Sequence, residues 1–127
     1  MSELIELFVD MAPPSANRIW LQNYRAGKTY LNPVYRQFCA LVGLRVRQKS
    51  LRLPEDWKYC AVEIVVHPKT RRGDVDNRIK PTLDALTKSG FWKDDSVVAQ
   101  VRARFGKPDK KGCVLIKIER RDEKFAN

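Results

Sequence analysis

Apolar and polar positions alternate from Glu3 to Asp10, with Ile5, Leu7 and Val9 on one side and Glu6, Phe8 and Asp10 on the other. A period of two predicts a first strand with one buried face. Met11-Ala12-Pro13-Pro14-Ser15-Ala16-Asn17 ends it, because two prolines fix φ and remove backbone donors. The stretch from Arg18 to Leu31 is mixed, basic and aromatic (Trp20, Tyr24, Tyr30), with a turn at Ala26-Gly27. Asn32-Pro33 then gives a helix-start signal, a capping side chain followed by proline at the first helical position. The spacing predicts a helix to about Lys49 with Val34, Phe38, Leu41, Val42 and Val46 near one face, weakened in the middle by Gly43.

Tyr59 to Val66 is rich in β-branched residues and reads as a central strand, ended by Pro68 to Gly73. A second helix is expected over Ile79 to Ser89, with Ile79, Leu83 and Leu86 at helical spacing, Pro81 in the first turn and Gly90 as the stop. From Val97 to Phe105, Val97, Ala99, Val101 and Ala103 alternate with Gln100, Arg102 and Arg104. A glycine- and lysine-rich loop separates this strand from a last one at Cys113 to Ile118, and the two are expected to form a hairpin. The charged segment 120–127 is expected to fray. The order β-α-β-α-β-β implies one domain over 1–127, a small mixed β-sheet packed with two main helices, of α/β (α+β) class.

Charge sharpens this picture. The chain carries formal net charge +10, and from Met11 to Pro54 there are eight Lys or Arg and no Asp or Glu. Such a segment calls for a polyanion, and nucleic acid is the favoured partner over a merely solvated basic face. No apolar run approaches the length of a membrane span, and Met1-Ser2-Glu3-Leu4 lacks a signal pattern, so no membrane association is expected. Cys39, Cys60 and Cys113 read as buried free thiols of a reducing cytoplasm. His67 reads as a surface or strand-end residue. Phe91-Trp92 reads as core closing the second helix, with a DNA wedge as the rival role, and Trp20 and Trp57 as core or interface.

Against this basic background stands an acidic cluster, Arg71-Arg72-Gly73-Asp74-Val75-Asp76-Asn77-Arg78-Ile79-Lys80, answered at Asp94-Asp95. Clustered carboxylates repel each other, and a cation relieves that repulsion. If the chain at Asp74 and Asp76 is extended, both carboxylates point the same way. If helix has begun by Asp76, Lys80 lies one turn above it on the same face. Hard oxygen ligands without His or Cys suit Mg²⁺, with Mn²⁺ as the alternative, and nothing asks for a nucleotide cofactor. The chemistry this serves is phosphodiester hydrolysis, with Lys80 tempering carboxylate repulsion or donating to the phosphate as charge develops. The structural alternative makes Asp76 or Asn77 a helix cap, Asp74 a turn residue and Asp94-Asp95 another cap.

The string Asp74-Val75-Asp76-Asn77-x-x-Lys80, then Asp84-Ala85-Leu86, then Gly90-Phe91-Trp92-x-Asp94-Asp95, resembles the RusA family of Holliday junction resolvases. Pro13-Pro14-Ser15-x-Asn17 and Gly27-Lys28-Thr29-Tyr30 resemble that family's opening segment. The resemblance implies a homodimeric, Mg²⁺-dependent crossover junction endodeoxyribonuclease, common in phage and prophage, that cuts four-way DNA junctions by paired nicks in recombination and repair. It places the metal-binding catalytic aspartates on Asp74, Asp76 and Asp95, the catalytic lysine on Lys80, and an additional acidic position on Asp94. Gly73 departs from the pattern, which often has a basic residue there. Arg71, Arg72 and Arg78 are candidate phosphate contacts, and Asn17 and Lys28 candidate DNA contacts. Lys28, Arg36, Arg102 and Arg104 have weaker claims on charge alone. The rival readings are a non-catalytic junction- or duplex-binding protein and a broader nuclease for flaps, forks or RNA.

Overall fold

In Tyr59–His67, residues Cys60 to Val62 and Ile64 to Val66 are buried, so this strand is covered on both faces and needs a neighbour on each edge. The computed structural model, which describes residues 3–125, shows both neighbours. Its strands are β1 (Leu4–Val9), β2 (Trp20–Asn23), β3 (Lys28–Leu31), β4 (Tyr59–His67), β5 (Val98–Phe105) and β6 (Cys113–Arg121). Its helices are α1 (Pro33–Gln48) and α2 (Ile79–Lys88), and short 3₁₀ turns cover Ala16–Arg18, Val75–Arg78 and Asp95–Val97. The main sheet runs β1-β6-β4-β5, antiparallel except for the parallel pair β4–β5, and β2–β3 form a separate two-stranded ribbon. The class is the expected α+β, a mixed sheet with two main helices.

One face of the sheet carries the core. Leu7 and Val9 of β1, Val114, Ile116 and Ile118 of β6, and Val62, Ile64 and Val66 of β4 pack there with Phe38, Val42 and Val46 of α1 and Ala85 and Leu86 of α2. Each such side chain removed from water contributes roughly 1.5–3 kcal/mol, enough together to hold both helices on that face. Phe91 and Trp92 close the core edge to face, with ring centroids 5.4 Å apart, and Trp92 Nε1 donates to Thr87 Oγ1 at 2.7 Å. Their expected core role holds, as does that of Trp57. Asn32 caps α1: its Oδ1 accepts from Val34 N at 2.9 Å while its Nδ2 donates to the Arg18 carbonyl at 2.7 Å. His67 ends β4, its Nδ1 2.8 Å from the Lys107 carbonyl oxygen. No helix among the described residues is long and apolar enough to cross a membrane.

Several expectations need correction. β5 and β6 are not a hairpin; they flank β4 on opposite edges. Segment 106–112 crosses the end of β4, where Gly106 N donates to the Val66 carbonyl at 2.8 Å and Asp109 N to the Pro68 carbonyl at 2.9 Å. Alternation fixes which face a strand buries and says nothing about which neighbour it pairs with, and seven residues easily span two inter-strand spacings. The stretch 18–31, left without regular structure above, contains the β2–β3 ribbon, whose polar faces carry no hydrophobic period. Trp20 lies on it and is 61% exposed, so it is not core. Val34 is exposed at the start of α1, and Tyr35 takes its place in the interior. Only Cys60 of the three thiols is buried; Cys39 and Cys113 are partly exposed. The expected frayed tail starts too early, because β6 continues to Arg121 and Arg120 pairs with Glu3, Asp56 and Asp122. Met1, Ser2 and residues 126–127 lie outside the described residues.

Candidate active site

β4 delivers the chain to the site. After His67, segment 68–73 turns away from the sheet, Gly73 takes φ +93°, and Asp74 is extended (φ −109°, ψ 140°) before the Val75–Arg78 turn. A left-handed φ suits glycine, so the sharp entry into the acidic segment is written into Gly73. Asp74 and Asp76 therefore do not lie on one extended run, as the spacing had suggested; Asp76 is already inside a 3₁₀ turn. Asp74 stands at the cap position but makes no capping bond, and both carboxylates are exposed without a hydrogen-bond or ion-pair partner among the described residues. Neither serves as the helix cap or turn brace of the structural alternative.

Lys80 is the second residue of α2. It pairs with Asp84, Nζ to Oδ2 3.6 Å, and makes no ion pair with Asp76. The cause is the 3₁₀ turn, in which residues three apart eclipse, so the α-helical spacing of four does not bring Lys80 over Asp76. Asp84 carries a second task, since its carboxylate also lies beside the buried Tyr35 hydroxyl; burial, then Cys39 and Asp84, push that phenol well above its ordinary pKa.

Asp94 and Asp95 enter the next turn. Asp94 caps it, accepting from Ser96 N at 3.3 Å, and that backbone bond together with Asp95 holds the Asp94 carboxyl below its ordinary pKa. The capping alternative thus applies to Asp94. Asp95 is exposed. Along the chain α2 lies between Asp76 and Asp95, ten residues and so about 15 Å long. Among the described residues no group of three His, Cys, Asp or Glu side chains stands close enough to hold a metal ion. The donor chemistry suits a hard cation.

The basic side chains divide by depth. Arg71 and Arg72 are exposed in the loop before the acidic segment. Arg78 is half-buried, Nη1 donates to the Pro13 carbonyl at 3.0 Å, and its Nε is enclosed without a partner. Desolvation pushes its pKa below the ordinary guanidinium value. Asn17 is exposed on the Ala16–Arg18 turn, which packs beside the Val75–Arg78 turn and α2, so the Pro-Pro-Ser segment does reach the acidic region. Lys28 is exposed on the β2–β3 ribbon, opposite Asn23. Asp84 as the partner of Lys80 was signalled by its spacing of four along α2, whereas Lys69 and Lys111, which line one cavity with Arg78, carried no sequence signal of their own.

Residues 10–119 match the sequence profile of the family described as endodeoxyribonuclease RusA. The chain belongs to that family. It is similar to the crossover junction endodeoxyribonuclease RusA of Enterobacteria phage 82 and to that of Escherichia coli (strain K12), each 36% identical over 95 residues, which is 71% of this chain and 73% of the relative. The protein of the same name from Shigella sonnei (strain Ss046) is 35% identical over the same shares. The matched region begins just after β1 and ends within β6, so it takes in the β2–β3 ribbon, both helices, β4, β5 and both sides of the acidic segment. As a member of the RusA family the chain is an endodeoxyribonuclease.

Proposed function

We propose that this chain is a Mg²⁺-dependent, structure-selective endodeoxyribonuclease that resolves four-way DNA junctions by paired symmetric nicks, acting as a homodimer in recombination and repair. One observation carries the reading: in a chain of the RusA family, Asp74 and Asp76 hold exposed, partnerless carboxylates between Arg71-Arg72 and Arg78. Under it Asp74, Asp76 and Asp95 hold Mg²⁺, with Mn²⁺ as substitute. A divalent ion supplies positive charge against an anionic phosphate and lowers the pKa of water. Lys80 leaves Asp84 and donates to the phosphate as charge develops. Arg71, Arg72, Asn17 and Lys28 hold the DNA. A two-fold substrate is matched by a two-fold enzyme.

A second reading, a junction-binding protein without catalysis, is favoured by the lack of any group of three metal-ligating side chains among the described residues. Cleavage of a synthetic four-way junction, beside duplex and flap controls, by wild type and Asp74→Asn with Mg²⁺ or EDTA separates them. Symmetric Mg²⁺-dependent nicks, lost in a mutant that still binds, support the resolvase. Tight binding with no cleavage by wild type supports the binding protein. Equal cutting of every substrate keeps the nuclease and removes the junction preference.

A further inference from the structure

Beside the acidic segment lies a cavity of about 610 Å³, bounded by the Asp10–Pro14 segment, the first turns of α1 and the loop after β4. Four cations line it: Lys69, Arg72, Arg78 and Lys111. Its one acid, Asp10, is already answered by Arg45 outside the lining, with Nη2 and Oδ1 3.0 Å apart, and that bond holds the Asp10 carboxyl below its ordinary pKa. Lys69, Arg72 and Lys111 have no ion-pair partner among the described residues. A concave wall with four cations and a single acid, itself paired with Arg45 and also facing the charge of Lys111, concentrates anions, since low-dielectric walls focus the field of their charges.

Arg78 sits in this wall by construction. Of its five donors, one bonds the Pro13 carbonyl, which ties the Asp10–Pro14 segment to the start of α2. No other donor of this half-buried guanidinium has a partner among the described residues. Gly73 makes the room: a Cβ there would stand 2.7 Å from Arg78 Nη2, in addition to straining a φ of +93°. Gly73 and Arg78 therefore form one device, a bare backbone that seats a guanidinium next to the entry of Asp74.

We propose that this cavity takes the phosphodiester backbone of a DNA strand beside the cut site, with Arg78, seated by Gly73, as its inner cation and Lys69, Arg72 and Lys111 as its rim. The proposal rests on the nuclease reading above and adds a subsite to it. The volume lies within the ~300–1,000 Å³ of ligand sites, room for a strand segment and more than one ion needs. Phosphate contacts position a substrate without reading its sequence, so the subsite sets where the strand runs past Asp74.

The test is the salt dependence of binding of a fluorescein-labelled four-way junction in EDTA, between about 50 and 200 mM salt, for wild type, Lys69→Gln/Lys111→Gln and Arg78→Gln. Each lost phosphate contact lowers the slope of log affinity against log salt by roughly one, so the double variant falls by roughly two and Arg78→Gln by roughly one. Gly73→Ala, which displaces the guanidinium, follows Arg78→Gln. Slopes equal to wild type in variants that melt at the wild-type temperature overturn the proposal. Should Arg78→Gln fail to fold, the double variant at two exposed lysines decides alone. Wild type that neither binds nor cuts DNA overturns the nuclease reading and this subsite with it, whereas normal binding and cutting with unchanged variant slopes overturns the subsite only.

Discussion

Lys80 reaches forward along α2 to Asp84, Nζ to Oδ2 3.6 Å, and leaves Asp76 behind it without a partner. Lys80 is 69% exposed, and an exposed pair at helical spacing contributes at most about 1 kcal/mol. Asp84 thus parks the lysine next to the acidic segment without fixing it there. Lys80→Ala is expected to lower junction cleavage by about 10²–10³-fold, the usual cost of one charge-stabilising donor. Junction binding measured in EDTA should change little. An equal loss of both would make Lys80 a binding residue.

A mixed dimer tests whether Asp95 acts with Asp74 and Asp76 of its own chain or of a second copy. Asp74→Asn and Asp95→Asn proteins are each expected to be inactive. Mixed in equal amounts and allowed to exchange subunits, they should recover about a quarter of wild-type sites if each site is shared, because half the dimers then hold one intact site. A mixture as inactive as its parts would show that each chain builds its own site.

Gly106 is held against the His67 ring, which a Cβ at that position would enter, while its N–H bonds the Val66 carbonyl. Gly106→Ala forces the ring or the crossing loop to move and should cost about 1–3 kcal/mol, as overpacking does. The denaturant midpoint reads this directly. A midpoint within error of wild type would show that His67 swings out freely.

Cys60 is fully buried, and burial pushes its thiol up to about 11. At pH 8 it should resist Ellman's reagent until the protein is unfolded, while Cys39 and Cys113 react sooner. The raised value also fixes a sign. The thiol's contribution to stability is complete below its unfolded pKa near ~8.5 and is lost as pH rises through the folded value, because the unfolded chain releases that proton first. Thermal melts from pH 8 to 11 should show the decline, and Cys60→Ser should flatten it. A profile identical in the variant would assign the alkaline loss to other groups.

Most of the secondary structure was legible because each element's sequence pattern reports which of its faces leave water. Alternation in β1 and β5, the β-branched run of β4 and the Asn32-Pro33 start of α1 each report which groups leave water. Strand pairing was not legible, since β6 beside β1 and β4 satisfies the same alternation as β6 beside β5. The residues of the acidic segment were legible from their types and order. Their geometry was not: a 3₁₀ turn in place of strand or helix moved Lys80 to Asp84 and put Asp76 on its own. Asp94 was legible as a cap, and its bond from Ser96 N was visible only in the folded chain.

The place of β6 has a consequence for synthesis. The last strand made is an inner strand, lying between the first strand and the one from mid-chain, so β1 has no edge to join until residues beyond Cys113 have been made. A nascent chain can form α1, α2 and the parallel pair β4–β5 early, but β1 and one edge of β4 wait, with their apolar side chains exposed, for β6 to emerge from the ribosome. The nuclease fold therefore closes only once β6 has been made, and a stop anywhere before β6 leaves two sticky strand edges instead of a smaller enzyme.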